Sequence, residues 1–294
     1  MEYIINEKQD KIILRDFLKK ELVLSARLIK KLKKYYGAIT VNGEPSTVRR
    51  ILNKDDIVFL DLDDKEEETN EYLEKSDIPL DILYEDDNYT VINKAPNMPT
   101  HQSRGHYTGT LANALAFRYQ DRSYIFRAIN RLDKDTSGIV LTANNRHFAD
   151  ILSKKLRSGC FHKQYIAIVE GRIASSGEIN APIKREKESI IKRIVADDGD
   201  EAITKYELLA SCDQMSVLLV TPITGRTHQI RVHMASLGHP IIGDTLYGSS
   251  NELITRQALH AYRLNIDGIG DFEAQLPDDM KNVIRRFFGN EELF

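Results

Sequence analysis

Asn130-Arg131-Leu132-Asp133-Lys134-Asp135-Thr136-Ser137-Gly138 runs straight into Ile139-Val140-Leu141-Thr142-Ala143. Asp135 to Gly138 has turn chemistry, and the apolar stretch behind it reads as a buried strand. A carboxylate at such a loop-to-strand junction is held rigidly, which a catalytic group requires. Three other readings of the same residues compete. Asp133, Asp135, Ser137 and Gly138 mimic the start of a calcium loop, but the twelfth position should be Glu and is Asn144. A strand also stands where the exiting helix belongs. Asp135-Thr136-Ser137-Gly138 has the outline of an aspartic-protease turn, but Ser137 interrupts Asp-Thr-Gly and no second copy is present. The third reading is a polar turn with no further role. The rest of the chain decides among them.

The chain has 294 residues, 41% hydrophobic and 29% charged, a balance that excludes disordered and fibrous classes and a length that fits two domains. Strictly apolar runs are short, as in Val217-Leu218-Leu219-Val220, against the roughly 20 residues of a membrane span. Met1-Glu2-Tyr3-Ile4-Ile5-Asn6-Glu7 lacks the basic and apolar regions of a secretory signal. Cys160 and Cys212 are the two cysteines, with no Cys-x-x-Cys, so no disulfide framework or thiolate zinc site is encoded. The expectation is a soluble, cytoplasmic protein.

The net charge of -3 is unevenly spread. Residues 1–60 carry 13 Lys and Arg against 8 Asp and Glu, residues 61–88 carry 2 against 13, and residues 89–294 carry 26 against 23. A basic head, an acidic connector and a near-neutral body predict two modules joined by a solvated linker. The expected boundaries are 1–62 for the head, 63–79 for the linker and 80–294 for the body.

In the head, Lys11–Lys20 reads as a short helix with Ile13, Leu14, Phe17 and Leu18 on one face. A second helix has Ser25 as N-cap, Leu28, Ile29 and Leu32 as its apolar stripe, and Gly37 at its end. Its other face holds Arg27, Lys30, Lys31, Lys33 and Lys34. Asn42-Gly43 follows an apolar-polar alternation, which signals a tight hairpin, and Asp56–Leu60 reads as a returning strand. A lysine run alone is usually a solvated helix face. Here the cations sit beside a hairpin, with Arg49 and Arg50 following, a surface suited to neutralising phosphates without reading sequence. Two helices, a Val41-Asn42-Gly43 turn and a strand resemble an S4-type RNA-binding domain, which implies an RNA partner.

From Leu80 the pattern becomes mixed. Ile82-Leu83-Tyr84 and Tyr89-Thr90-Val91-Ile92 are strand-like about an acidic turn, and Asn93–Pro99 is a loop because Pro96 and Pro99 forbid a helix. Thr110 caps a helix running to Arg118.

Residues 131–141, Arg-Leu-Asp-x-x-Thr-Ser-Gly and then a strand, closely resemble the active-site motif of the RluA/RluD-type pseudouridine synthases. Other segments match in order: Leu80–His101, Phe161–Gly171 with its Lys-x-Tyr, the 25-residue block Thr224–Gly248, and Leu259-His260-Ala261. Together they span about residues 80–265, and an S4-like head is the family's common companion. Three positions depart from the pattern: Asn130 stands where His is usual, Lys94-Ala95-Pro96-Asn97 replaces Lys-Pro-x-Gly, and Asn265-Ile266-Asp267 replaces a segment with His-Pro. The resemblance implies an α+β chain: a small S4-like domain, then a catalytic domain with a central mixed, mainly antiparallel sheet flanked by helices.

It also implies the chemistry. Pseudouridine formation breaks the N1–C1′ bond, turns the uracil and rejoins it through C5, so no electrons and no imported bond energy are required. The sequence agrees, having neither Gly-x-Gly-x-x-Gly nor a Walker loop; no cofactor, nucleotide or metal is expected. His228 and His233, five apart, do not share a helical face as a metal pair would. By resemblance Asp133 acts as nucleophile or as base toward the ribose C2′ proton, Arg231 pairs with it, and Tyr165 stacks on the uracil. Arg131, two residues before Asp133, points to the same side of an extended segment, and the resemblance implies that it fills the stack vacated by the flipped base or holds the flipped nucleotide. Lys163 and Arg226 are candidate phosphate contacts, as are Arg27, Lys30, Lys31 and Lys34 in the head. The expected protein is a monomeric RNA pseudouridine synthase, with large-subunit ribosomal RNA the favoured substrate and transfer RNA the alternative. An RNA-binding or ribosome-assembly factor that has lost its chemistry is the rival from another class, and the intact Asp133, Tyr165 and Arg231 set argues against it.

Overall fold

The computed structural model describes residues 1–62, 73–103, 105–189 and 191–289. Most of the acidic run read as a linker, residues 63–72, lies outside the described residues.

In residues 1–62, β1 (Glu2–Ile4), β2 (Ile39–Val41), β3 (Glu44–Pro45) and β4 (Ile57–Leu60) form a sheet ordered β1-β4-β2-β3, every neighbour antiparallel. α1 (Leu14–Asp16), prolonged by a π-helical turn over Phe17–Glu21, and α2 (Ala26–Leu32) share one core with it, in which Phe17, Leu28 and Leu32 meet Val41, Val58 and Leu60. Ser25 caps α2, its Oγ accepting the Leu28 amide at 3.1 Å. Asn42 and Gly43, with φ of 55° and 82°, make the two-residue turn between β2 and β3, the conformation Asn-Gly favours.

Three details differ from the sequence reading. Residues 11–13 are not helical: Lys11 closes a turn in the left-handed region at φ 64°, Ile13 bridges Ile51, and the amides of Lys11 and Leu14 donate to the Leu52 and Arg50 carbonyls at 2.8 Å. Ile12 and Ile13 are stiff β-branched residues that suit an extended backbone, and Ile13 is 39% exposed instead of entering the core. α2 ends at Leu32, short of Gly37, whose φ of 79° belongs to the turn beyond. β1 carries no strong local signal and exists because β4 offers it an edge, Glu2 to Ile4 pairing with Phe59 to Ile57.

The body begins with β5 (Asp81–Glu85) and β6 (Tyr89–Lys94), the latter running past its apolar pattern into the stretch read as a loop. α3 (Leu111–Arg118), β7 (Ser137–Ala143), α4 (Arg146–Arg157) and β8 (Phe161–Glu170) follow. Next come β9 (Gly177–Asn180), the hairpin β10 (Ile183–Arg185) and β11 (Arg193–Val195), then β12 (Ile203–Ser211) and β13 (Met215–Pro222). α5 (Gln229–Ser236), β14 (Leu259–Ile266), β15 (Gly270–Glu273) and α6 (Asp278–Phe288) complete it. Nine strands make the central sheet in the order β5-β6-β7-β14-β8-β13-β12-β9, with β15 hydrogen-bonded to β14. Every pairing is antiparallel except β7 with β14. The fold is α+β around a mixed, mainly antiparallel sheet. No helix among the described residues is long and apolar enough to cross a membrane.

β7 is buried along its whole length, and its alternation divides two cores. Ile139, Leu141 and Ala143 join Val91, Leu152 and Leu264 on the α4 side; Val140 joins Ile92, Leu111 and Leu115 on the α3 side. Each Val, Leu or Ile side chain so removed from water contributes about 1.5–3 kcal/mol. A third core lies where α5 and α6 cover β8 and β13, with Ile168 and Val217 against Ile230, Met234 and Ile284. The parallel β7–β14 pairing explains Gly138: its φ is 107°, and a Cβ there would stand 2.3 Å from the Ala261 carbonyl oxygen. The start of β7 thus meets β14 at backbone distance, and Asp133 lies in the loop four residues before that strand begins.

Candidate active site

Asp133 stands in the loop before β7, and that loop is held from several directions. Thr100 Oγ1 donates to the Leu132 carbonyl at 3.0 Å and accepts the Leu132 amide at 3.3 Å. Arg256 Nη1 donates to the Asp135 carbonyl at 3.0 Å, and Gln257 Nε2 donates to Thr136 Oγ1 at 3.1 Å. Lys94, almost wholly buried, spends its three hydrogens on the carbonyls of Ala95, Met98 and Lys134 at 2.8, 2.9 and 3.1 Å. Burial pulls its ammonium down to about 7, with Asp135 and Asp133 opposing. Asn130, the residue that replaces the usual His, clamps β7: Oδ1 accepts the Leu141 amide at 2.8 Å and Nδ2 donates to the Ile139 carbonyl at 3.0 Å.

Asp133, Arg131, Lys163, Tyr165, Arg226 and Arg231, predicted from segments up to 100 residues apart, all line one open cavity of about 380 Å³. Leu132, between Arg131 and Asp133, is buried in the α3-side core, so its two neighbours turn the other way. Tyr165 comes from β8, opposite Val220 and Ala261 of the flanking strands. Burial, aided by the Asp133 charge, raises its phenol well above the ordinary value, and burial lowers the Lys163 ammonium. Arg226 is exposed at the rim, its Nε donating to the Glu201 carbonyl at 2.9 Å. Arg27, Lys30, Lys31 and Lys34 do not line the cavity; they belong to α2 and the turn after it, where Arg27, Lys30 and Lys34 are exposed.

Arg231 is the hub. Its Nε and Nη2 grip Asp244 at 2.6 and 2.8 Å, and Nη1 reaches Asp133 Oδ2 at 2.9 Å. Asp244 is 1% exposed and Asp133 29%, so one carboxylate anchors the guanidinium and the other meets the cavity. Burial alone would pull Arg231 down; its hydrogen bonds to Asp244 and the two carboxylate charges hold it above its ordinary value.

Sequence reasoning did not single out Asp244, Tyr247, Lys94 or Thr100, and it treated His228 only as half of a rejected metal pair. Asp244 and Tyr247 lie inside the Thr224–Gly248 block, but nothing in their spacing marks them; only the tertiary fold turns them back under α5. His228 Nδ1 is 2.8 Å from Tyr247 Oη and Nε2 is 3.6 Å from Asp133 Oδ2. Among the described residues no group of three or more His, Cys, Asp or Glu side chains is placed to hold a metal ion.

Residues 88–236 match the family described as RNA pseudouridylate synthase. The chain is 41% identical over 273 residues to the RNA pseudouridine synthase YjbO of Bacillus subtilis, covering 90% of this chain and 96% of that protein. It is 37% identical over 279 residues to ribosomal large subunit pseudouridine synthase D of Pseudomonas aeruginosa, covering 88% and 86%. Among solved structures, human RNA pseudouridylate synthase domain containing 1 aligns with a TM-score of 0.57 at 29% identity, over 69% of this chain and 85% of that one. An α+β fold with these relatives defines an isomerase that acts on RNA. The chain belongs to the RNA pseudouridine synthase family.

Proposed function

We propose that Asp133 is the catalytic carboxylate of this synthase and that large-subunit ribosomal RNA is its substrate. The observation that carries the first part is Asp133 itself, partly open to the cavity and paired at 2.9 Å with a guanidinium that a second, buried carboxylate immobilises. The reaction cleaves N1–C1′, turns the base and forms C5–C1′; N1 gains a proton and C5 gives one up, so atoms and electrons balance within the nucleotide and its exchange with solvent. Asp133 serves as nucleophile or as base toward the C2′ proton, and in both roles Arg231 holds its carboxylate in place at 2.9 Å. Tyr165 offers a ring for the uracil to stack on. Arg131, exposed beside Asp133, fills the gap left by the flipped base, an extrusion that costs a few kcal/mol.

RNA contact extends outward from the cavity. Gly225, Arg226 and Thr227 are shared with a second cavity of about 360 Å³, which Lys184, Arg185 and Arg193 of the β10–β11 hairpin also line. Those cations, with Lys163, suit a phosphate backbone. Residues 1–62 act as an S4-like domain whose Arg27, Lys30, Lys31 and Lys34 meet phosphates, residues 63–79 connect, and residues 80–294 catalyse. The enzyme works as a cytoplasmic monomer. Ribosomal RNA is favoured because several relatives, the Pseudomonas aeruginosa protein among them, are named as large-subunit synthases.

The test is to incubate unmodified large-subunit ribosomal RNA and transfer RNA, both transcribed in vitro, with wild-type protein or Asp133→Asn, and to map pseudouridine at nucleotide resolution. Sites formed in ribosomal RNA by wild type alone support both parts. Sites in transfer RNA alone overturn the substrate, and sites formed equally by Asp133→Asn overturn the carboxylate.

A further inference from the structure

We infer that His228 is a positioning residue for Asp133, held by Tyr247 in the tautomer that carries its hydrogen on Nε2, so that an N–H and not a lone pair faces the carboxylate. The inference rests on the reading of Asp133 as the catalytic group. The geometry starts in the backbone. His228 precedes α5 with φ 57° and ψ 17° and makes no side-chain cap to the helix. A left-handed conformation at a residue other than glycine costs of order 1–3 kcal/mol and persists where surrounding contacts over-determine it. Here the contacts are a chain of donors. The Arg193 amide, on β11, donates to Tyr247 Oη at 3.0 Å. A phenol has one hydrogen of its own, and Oη lies 2.8 Å from His228 Nδ1. With the Arg193 amide occupying an acceptor site on Oη, Tyr247 directs its hydrogen to Nδ1. A neutral imidazole that accepts at Nδ1 must donate at Nε2.

Neutrality follows from the surroundings. Burial lowers His228 below its ordinary value, and the Arg231 and Arg193 charges add to burial while Asp133 and Asp244 oppose it. Nε2 then points its hydrogen toward Asp133 Oδ2 across 3.6 Å, a gap of the kind that tightens when substrate closes a site. Oδ2 is also the atom that Arg231 holds at 2.9 Å. Both donors thus converge on one oxygen, and Oδ1 receives none among the described residues. The chain orients the carboxylate so that Oδ1 is the oxygen presented to the nucleotide.

The opposite tautomer would set the Nε2 lone pair against the carboxylate and repel it, which is why the hydroxyl of Tyr247 matters. Removing that hydroxyl frees His228 to place its hydrogen on either nitrogen while leaving the side chains of Asp133, Arg231 and Tyr165 in place; it also takes the acceptor from the Arg193 backbone amide but keeps the Arg193 cation. The expected effect is on turnover and not on affinity.

The test uses the full chain labelled with ¹⁵N. Long-range proton–nitrogen correlation of the histidine rings, with His228 assigned by the signal missing from His228→Gln, reads the tautomer directly. We expect the Nε2–H pattern at neutral pH in wild type and loss of that pure pattern in Tyr247→Phe. An Nδ1–H or doubly protonated His228 in wild type overturns the inference whatever happens to activity. In kinetics, Tyr247→Phe should lower kcat about tenfold, the size of one hydrogen bond to a charged group, with KM for RNA unchanged. His228→Gln, whose amide can still present an N–H to Oδ2, should retain several-fold more activity than His228→Ala. Equal losses in Gln and Ala, or a change confined to KM, would refute the positioning role. Failure of Asp133→Asn to lose activity would instead refute the underlying assignment, and the ring measurement would stand apart from it.

Discussion

Arg231 and Asp133 meet at 2.9 Å although 98 residues of chain separate them. The guanidinium that makes this contact is itself 8% exposed and gripped by Asp244, which is 1% exposed. The two ion pairs therefore differ in kind. Arg231 with Asp244 is a buried pair, in which loss of one partner strands a charge in low dielectric. Arg231 with Asp133 opens to the cavity only on the carboxylate side, where Asp133 is 29% exposed, so water screens it in part and it contributes less to stability than the Asp244 pair. One cation thus holds two carboxylates, one buried and one facing the cavity.

That division predicts opposite behaviour for two substitutions. Asp244→Ala leaves Arg231 buried without its anchor and should destabilise the protein by about 3–5 kcal/mol, seen as a lower urea midpoint. Asp133→Asn should leave the midpoint nearly unchanged while abolishing pseudouridine formation. A stable, inactive Asp244→Ala would show that the anchor acts only on catalysis.

Gly138 makes a second, purely steric prediction. Its φ of 107° and the 2.3 Å that would separate an added Cβ from the Ala261 carbonyl oxygen leave no room for a side chain. Gly138→Ala should cost at least about 2 kcal/mol from backbone strain and crowding and, by prising β7 from β14, should also lower activity. Thermal unfolding with parallel turnover assays checks both; wild-type behaviour in either would contradict the close packing of this pair.

His260 gives the sign of a pH dependence. Its Nε2 donates to the Ala274 carbonyl at 3.1 Å, so Nδ1 accepts from Ser137 Oγ at 2.9 Å and the ring is neutral. Burial pushes it down to about 4. The unfolded chain takes up a proton below its ordinary value near 6.5 while the folded protein does not. Its contribution to stability is therefore complete above about pH 6.5 and is lost as pH falls toward 4, at up to about 1.4 kcal/mol per unit. Urea midpoints at pH 7.5, 6 and 5 should fall in order, and His260→Asn should have the shallower slope.

The basic face of α2 is tested by salt. Replacing Arg27, Lys30 and Lys34 with Gln should weaken RNA binding and reduce the slope of log affinity against log salt by roughly 2, the release expected for three phosphate contacts. Turnover at saturating RNA should be retained. An unchanged slope would mean that these exposed cations face solvent alone.

The features legible in the residues alone are local ones. The Ser25 and Thr110 caps, the Asn42-Gly43 turn and the buried run after Gly138 are each written within a few residues, because capping, turn geometry and side-chain alternation act over that distance, and all four stand in the structure. The family was legible in the same way, from short motifs kept in order along the chain. Local signals erred where a distant partner intervened: Lys11–Ile13 are drawn out of helix by Leu52 and Ile51, and β1 is made by β4. Folding was needed to establish that Asp244 anchors Arg231, that Tyr247 reaches His228, and that Lys94 and Thr100 brace the Asp133 loop. No periodicity encodes such contacts, since they arise where separate elements pack and buried polar groups must find partners across the core.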